Sequence, residues 1–112
     1  MKKIILVFFV ISFLSQKSFS QVIVDDVNIN ELGIDVIELL AVPKSYVEYS
    51  IYVDYGVKWK LFKRQKISNK DGVLQEFNTP IASLNFFLSN GWELVQYSRV
   101  SSSVSYILKL KE

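Results

Sequence analysis

Neither cysteine nor histidine occurs anywhere in the 112 residues. Ser–His and Cys–His nucleophilic pairs therefore cannot be assembled from this chain. Zinc, haem and iron–sulfur centres lose their usual ligands, and the sequence implies no cofactor. No disulfide can form. What stays open is acid–base work by carboxylates, or no chemistry at all. Proline is also scarce, with two residues, and glycine with four, so each has a readable local role.

A membrane-spanning run is missing as well. The longest apolar stretch, Ile4 to Leu14 interrupted by Ser12, is about half of the roughly 20 residues that a spanning helix requires. Its surroundings are those of an export signal. Lys2 and Lys3 precede it, polar Ser15, Gln16, Lys17 and Ser18 follow it, and Ser18 and Ser20 place small side chains where signal peptidase reads. The sequence predicts a cleavable signal peptide over residues 1–20, a new N-terminus at Gln21, and a periplasmic or extracellular destination without a membrane span. No cysteine near the cut means no lipid attachment there.

Removing the signal changes the charge. The 13 Lys plus Arg against 11 Asp plus Glu give +2, but Lys2, Lys3 and Lys17 leave with the signal and no acid does. The remaining 10 basic and 11 acidic side chains leave a net −1. A basic character pointing to nucleic acid disappears with the signal. Residues 21–112 make one small domain. A chain of that size buries about 60–65% of its unfolded surface, enough for a core without staples.

Strand and helix periods organise this domain. Val36 to Val42 reads as a strand stopped by Pro43, and Pro43-Lys44-Ser45 reads as a hairpin turn. Tyr46 to Tyr55 alternates cleanly, with Val47, Tyr49, Ile51, Val53 and Tyr55 on one face and Glu48, Ser50, Tyr52 and Asp54 on the other. Gly56 breaks the strand, and Val57 to Ser68 looks extended again. Asn69-Lys70-Asp71-Gly72 is a tight turn, after which Val73 to Phe77 pairs back. Thr79 caps a helix over Pro80 to Asn90, with Pro80 at its first position and an apolar stripe of Ile81, Leu84, Phe87 and Leu88. Gly91 ends it in the left-handed conformation. Trp92 to Arg99 is a strand of mixed polarity, Val100 to Ser103 a serine-rich loop, and Val104, Tyr106, Leu108 and Leu110 mark a last alternating strand. These elements predict an α+β fold: an antiparallel sheet of about five or six strands with one helix, residues 80–90, on one face. Residues 21–35 carry no readable period.

Leu84-Asn85, Phe87-Leu88, Asn90-Gly91-Trp92-Glu93-Leu94-Val95 and the closing Tyr106-Ile107-Leu108-Lys109 resemble small exported bacterial domains of unknown function. In those domains a helix is followed by a Gly-Trp-Glu-Leu-Val turn and a final Tyr-x-Leu-Lys strand. The resemblance covers about residues 80–111, and Val53-Asp54-Tyr55-Gly56 and Asp71-Gly72 are similar too. It implies a compact α+β fold and no activity, ligand or catalytic residue.

Three features invite a functional reading. Asp26-Val27-Asn28-Ile29-Asn30 starts like a calcium loop but has Glu31 where that loop needs glycine and Ile37 where it needs glutamate. The Lys58–Lys66 segment is the one basic cluster. Lys58, Lys60, Lys63 and Arg64 would attract an acidic glycan or lipopolysaccharide while Trp59 or Phe62 stacks, or the lysines would simply keep a sheet edge soluble. Tyr46 and Tyr52, with Trp59, would form an aromatic platform for a sugar or a protein. Carboxylate catalysis has Asp54, Glu48 and Glu93 as candidates by elimination only. The reading that results is an exported, non-catalytic binding or interaction module. Its partner would be an envelope or extracellular protein, a copy of itself through an edge strand, or a glycan. The alternatives are acidic-glycan binding through Lys58–Lys66 and a small carboxylate-based hydrolase.

Overall fold

The computed structural model describes residues 21–57 and 65–111. The expected signal peptide and residues 58–64 lie outside them. The described elements are β1 (Ile23–Val24), β2 (Val27–Asn28), a 3-10 helix (Ile29–Glu31), β3 (Val36–Pro43), β4 (Tyr49–Asp54), β5 (Ile67–Ser68), α1 (Pro80–Leu88), β6 (Trp92–Val100) and β7 (Ser103–Leu110). The fold is α+β, as the periods predict. The strands form two antiparallel sheets where one was expected: a small β2-β1-β5 sheet and a larger β4-β3-β7-β6 sheet. The small sheet is made of two-residue strands, too short to show any period in sequence.

The larger sheet is built by alternation. Leu39 stands opposite Val53 on one side and Tyr106 on the other, and Ile37 stands opposite Leu108. All five are buried, together with Ala41, Val104 and Trp92. Val22, Val24 and Ile29 from the N-terminal segment, Ile67 from β5, and Leu84 and Phe87 from α1 complete this core. On the opposite face, Glu38, Leu40, Tyr52, Ser105 and Ile107 keep partial contact with solvent, and the Ser105 hydroxyl donates to Glu38 Oε2 at 2.8 Å.

The N-terminal segment, unreadable in sequence, turns out to be core-forming. Asp25 and Asp26 have φ of 48° and 69°, so both central residues of the β1–β2 turn are left-handed. That is the geometry a two-residue hairpin requires, and aspartate tolerates it better than most residues. Asp25 also fastens the turn to the chain entering β5. Its N–H donates to Lys66 O and its Oδ1 accepts from Lys66 N–H, each at 2.8 Å. Asn28 caps the 3-10 helix by accepting from Asn30 N–H at 3.1 Å. Asn30 reaches across the molecule: its Oδ1 accepts from Val22 N–H at 3.1 Å and from Trp92 Nε1–H at 3.0 Å, while its Nδ2 donates to Asn90 O at 2.8 Å. The Asp-x-Asn-x-Asn alternation that resembles a calcium loop is thus occupied by a turn, a cap and an internal tie.

Several boundaries differ from the sequence reading. The β3–β4 turn spans residues 44–48, because Lys44 and Ser45 N–H both donate to Glu48 O, at 2.9 and 3.3 Å. Pro43 pairs with Tyr49, so β4 starts at Tyr49, and Tyr46 and Val47 belong to the turn. The return after Asn69–Gly72 is one bridge, Ser68 to Leu74, extended by Gln75 N–H donating to Ile67 O at 2.7 Å. The helix, capped at its start by Thr79 Oγ1 accepting from Ala82 N–H at 3.1 Å, ends at Leu88, and Gly91 has φ 93°. Its buried face is Ser83, Leu84 and Phe87, while Ile81 and Leu88 are exposed. Ser83 tolerates full burial because its hydroxyl donates to Pro80 O at 2.6 Å. Val100 pairs with Ser103, so the serine-rich loop is a two-residue turn, Ser101–Ser102. Register shifts between Leu94 and Gln96, leaving Val95 as a bulge in β6. Among the described residues no helix is long and apolar enough to cross a membrane.

Candidate functional site

The large sheet has two outer edges, β4 and β6, and they are finished differently. At β4 the carboxamide of Gln65 takes the position of a neighbouring strand. Gln65 Oε1 accepts from Val53 N–H at 2.6 Å, and Gln65 Nε2 donates to Val53 O at 2.9 Å. This pair of bonds shows that the peptide groups of Val53 point away from β3. Peptide groups alternate in direction along a strand, so those of Ile51 and Tyr49 point outward as well. Among the described residues no strand pairs with that edge.

Beside this open stretch lies a cleft of about 450 Å³. Lys44, Glu48, Tyr49, Ser50 and Ile51 form one wall, and the chain from Leu74 to Asn78 forms the other, with Gln65, Lys66 and Ile67 between them. The second wall is held by the Gln75–Ile67 backbone bond and by Phe77, whose ring lies 5.6 Å from that of Phe86 in a tilted contact. Phe86 in turn meets Phe87 edge-on at 5.6 Å, which carries the wall through to the core. Lys44 and Lys66 bring positive charge and Glu48 and Glu76 bring negative charge, with Lys44 Nζ 3.9 Å from Glu48 Oε2. The cleft is therefore balanced in charge, and its lining mixes amides with aromatic and aliphatic side chains.

The sequence-derived site residues distribute unevenly over this geometry. Lys58, Trp59, Lys60, Lys63 and Arg64 lie outside the described residues, and of their segment Gln65, at the rim, and Lys66 reach the cleft. Tyr46 is fully exposed in the β3–β4 turn, whereas Tyr52 lies on the outer face of β4 opposite Leu40. Tyr46 thus belongs to the turn and Tyr52 to the strand, and Trp59, the third member of the expected platform, lies outside the described residues. The candidate carboxylates are also dispersed. Asp54 accepts from Gly56 N–H at 3.0 Å at the end of β4, Glu48 faces Lys44 in the turn, and Glu93 lies on β6 at the other edge of the sheet. The cleft does hold two acids, Glu48 and Glu76, both exposed. A catalytic carboxyl pair divides its duties when apolar burial sets one member apart, and that asymmetry is missing here. Among the described residues no group of three or more acidic side chains could hold a metal ion.

Tyr49, Gln65, Gln75 and Phe77 were not singled out by the sequence. Their arrangement depends on two segments meeting across the fold and on one glutamine acting as backbone, neither of which leaves a local pattern. No family model matches this chain, and it has no match among the curated proteins or the solved structures compared with it.

Proposed function

We propose that this chain is an exported binding module with no chemistry of its own, and that it holds its partner in the cleft beside β4. The observation that carries this reading is the coincidence of a cleft with a strand edge that no described strand pairs: amides, two aromatic rings and both signs of charge surround outward-facing peptide groups of Tyr49 and Ile51. Clefts of this size with a few convergent polar groups among apolar side chains are the usual form of a binding site. Export rests on residues 1–20, whose three zones match a secretion signal.

A photo-crosslinking residue tests the reading in the protein exported from its own precursor. Placed at Glu76 or Lys44, it should yield the same adduct in the cell envelope or medium, and placed at Lys109, outside the cleft, it should not. Adducts that are equally frequent at all three positions, or absent from both cleft positions, would exclude the cleft. Acidic-glycan binding through the basic Lys58–Lys66 segment is a second reading, and Lys66 of that segment lines the cleft. It requires affinity to fall steeply as salt rises.

A further inference from the structure

We infer that the cleft takes up an extended segment of another polypeptide, laid along the outer edge of β4 as an added strand; this rests on the cleft being the binding site. The argument starts from Gln65. A primary carboxamide carries an acceptor oxygen and an N–H donor on the same side of one plane, the pair that the C=O and N–H of a single residue in a neighbouring strand present. Here it makes with Val53 the two bonds that a neighbouring strand would make. The edge of β4 is thus already engaged by peptide-like chemistry at one end. The next outward-facing positions, Ile51 and Tyr49, open into the cleft with no described strand beside them. Main-chain bonds of this kind supply affinity when a peptide joins a sheet edge, and alternate side chains supply selectivity.

The cleft also limits what the segment can be. Gln65 blocks the edge at Val53, and the turn of residues 44–48 closes the other end. At about 3.4 Å per residue, the open stretch accommodates a run of about four or five residues. Lys44 and Lys66 are matched by Glu48 and Glu76, so the cleft selects neither an acidic nor a basic segment. Tyr49, Ile67 and Phe77 favour apolar side chains at every second position. The opposite edge of the sheet is less suited to this role, because the bulge at Val95 interrupts its row of peptide groups.

The test uses the exported protein and a phage-displayed library of random linear peptides. The best binder is synthesised together with a series carrying a single backbone N-methyl group at each position in turn. Strand addition predicts losses of about tenfold at alternate positions and little between them, because only every second peptide group faces β4. It also predicts shifts of the Ile51, Gln65 and Gln75 amide resonances, and an affinity that changes little between about 0.05 and 0.5 M salt. Binding at those resonances without a period of two would overturn strand addition and leave the cleft standing as a site. A library that yields no peptide bound there would overturn the inference as well, while the crosslinking experiment decides the cleft independently.

Discussion

Asn30 satisfies the buried indole of Trp92, the N–H of Val22 and the carbonyl of Asn90 with one side chain. Asn30→Ala strands all three groups, and a buried group left without its partner costs about 1–3 kcal/mol. Urea unfolding followed by circular dichroism should show a loss of at least that size, and an unchanged midpoint would mean that water replaces the amide. Gly91 has a φ of 93°, where a side chain is strained. Gly91→Val should therefore cost about 1–3 kcal/mol by the same assay, chiefly through the backbone. Tyr106 carries a pH signature. Burial raises its hydroxyl pKa above the ordinary 10.0, the neighbouring Tyr97 adds to the rise, and Arg99 opposes it. The folded state thus keeps the Tyr106 proton after the unfolded chain has begun to lose it. This contribution is complete below about pH 10 and is lost as pH climbs through the raised value. Melting temperatures should fall more steeply above pH 10 for the native protein than for Tyr106→Phe, and parallel curves would refute the assignment.

The β4 edge is the element whose behaviour is most open to measurement. Gln65→Ala removes both bonds to Val53. The Val53 amide should then exchange with deuterium about five- to tenfold faster, as expected for one lost hydrogen bond, while the Leu39 amide, inside the sheet, should keep its rate. Equal acceleration at both would indicate general destabilisation. Long elements with a clean period were legible in sequence. Val104, Tyr106 and Leu108 alternate inward as read, and Thr79-Pro80 marks the helix start. Short elements were not. A two-residue strand such as Ile23–Val24 has no period to detect, and Asp26 reads as the start of a calcium-loop-like alternation until the φ angles of Asp25 and Asp26 reveal a hairpin turn. The helix stripe was shifted because Ser83, polar by composition, closes its own hydroxyl bond and so can face the core. The cleft was illegible for a related reason: its walls come from residues 44–51 and 65–78, and Gln65 acts there as a piece of main chain.

Across the whole molecule, the centre of the large sheet joins β3 to β7, elements from opposite ends of the domain, as in the pairing of Ile37 with Leu108. Sheets closed by such distant pairings fold slowly, in about milliseconds to seconds. Stopped-flow refolding should fall in that range, and a microsecond phase carrying the full amplitude would contradict it. Leu39 is fully buried at the centre of this sheet, so Leu39→Ala should cost about 2–5 kcal/mol. The bulge at Val95 bears on how the protein behaves in concentrated solution. β6 is a nine-residue edge with Leu94, Val95, Tyr97 and Val100 exposed, a composition that ordinarily seeds fibrils. The extra residue puts the two halves of the strand out of step, so a flat strand from a neighbouring molecule can match only one half. Deleting Val95 would restore unbroken alternation from Trp92 to Val100 without disturbing the pairing to β7. That one-residue deletion should raise thioflavin staining of the concentrated protein well above that of the unaltered chain, and equal staining would contradict this role for the bulge.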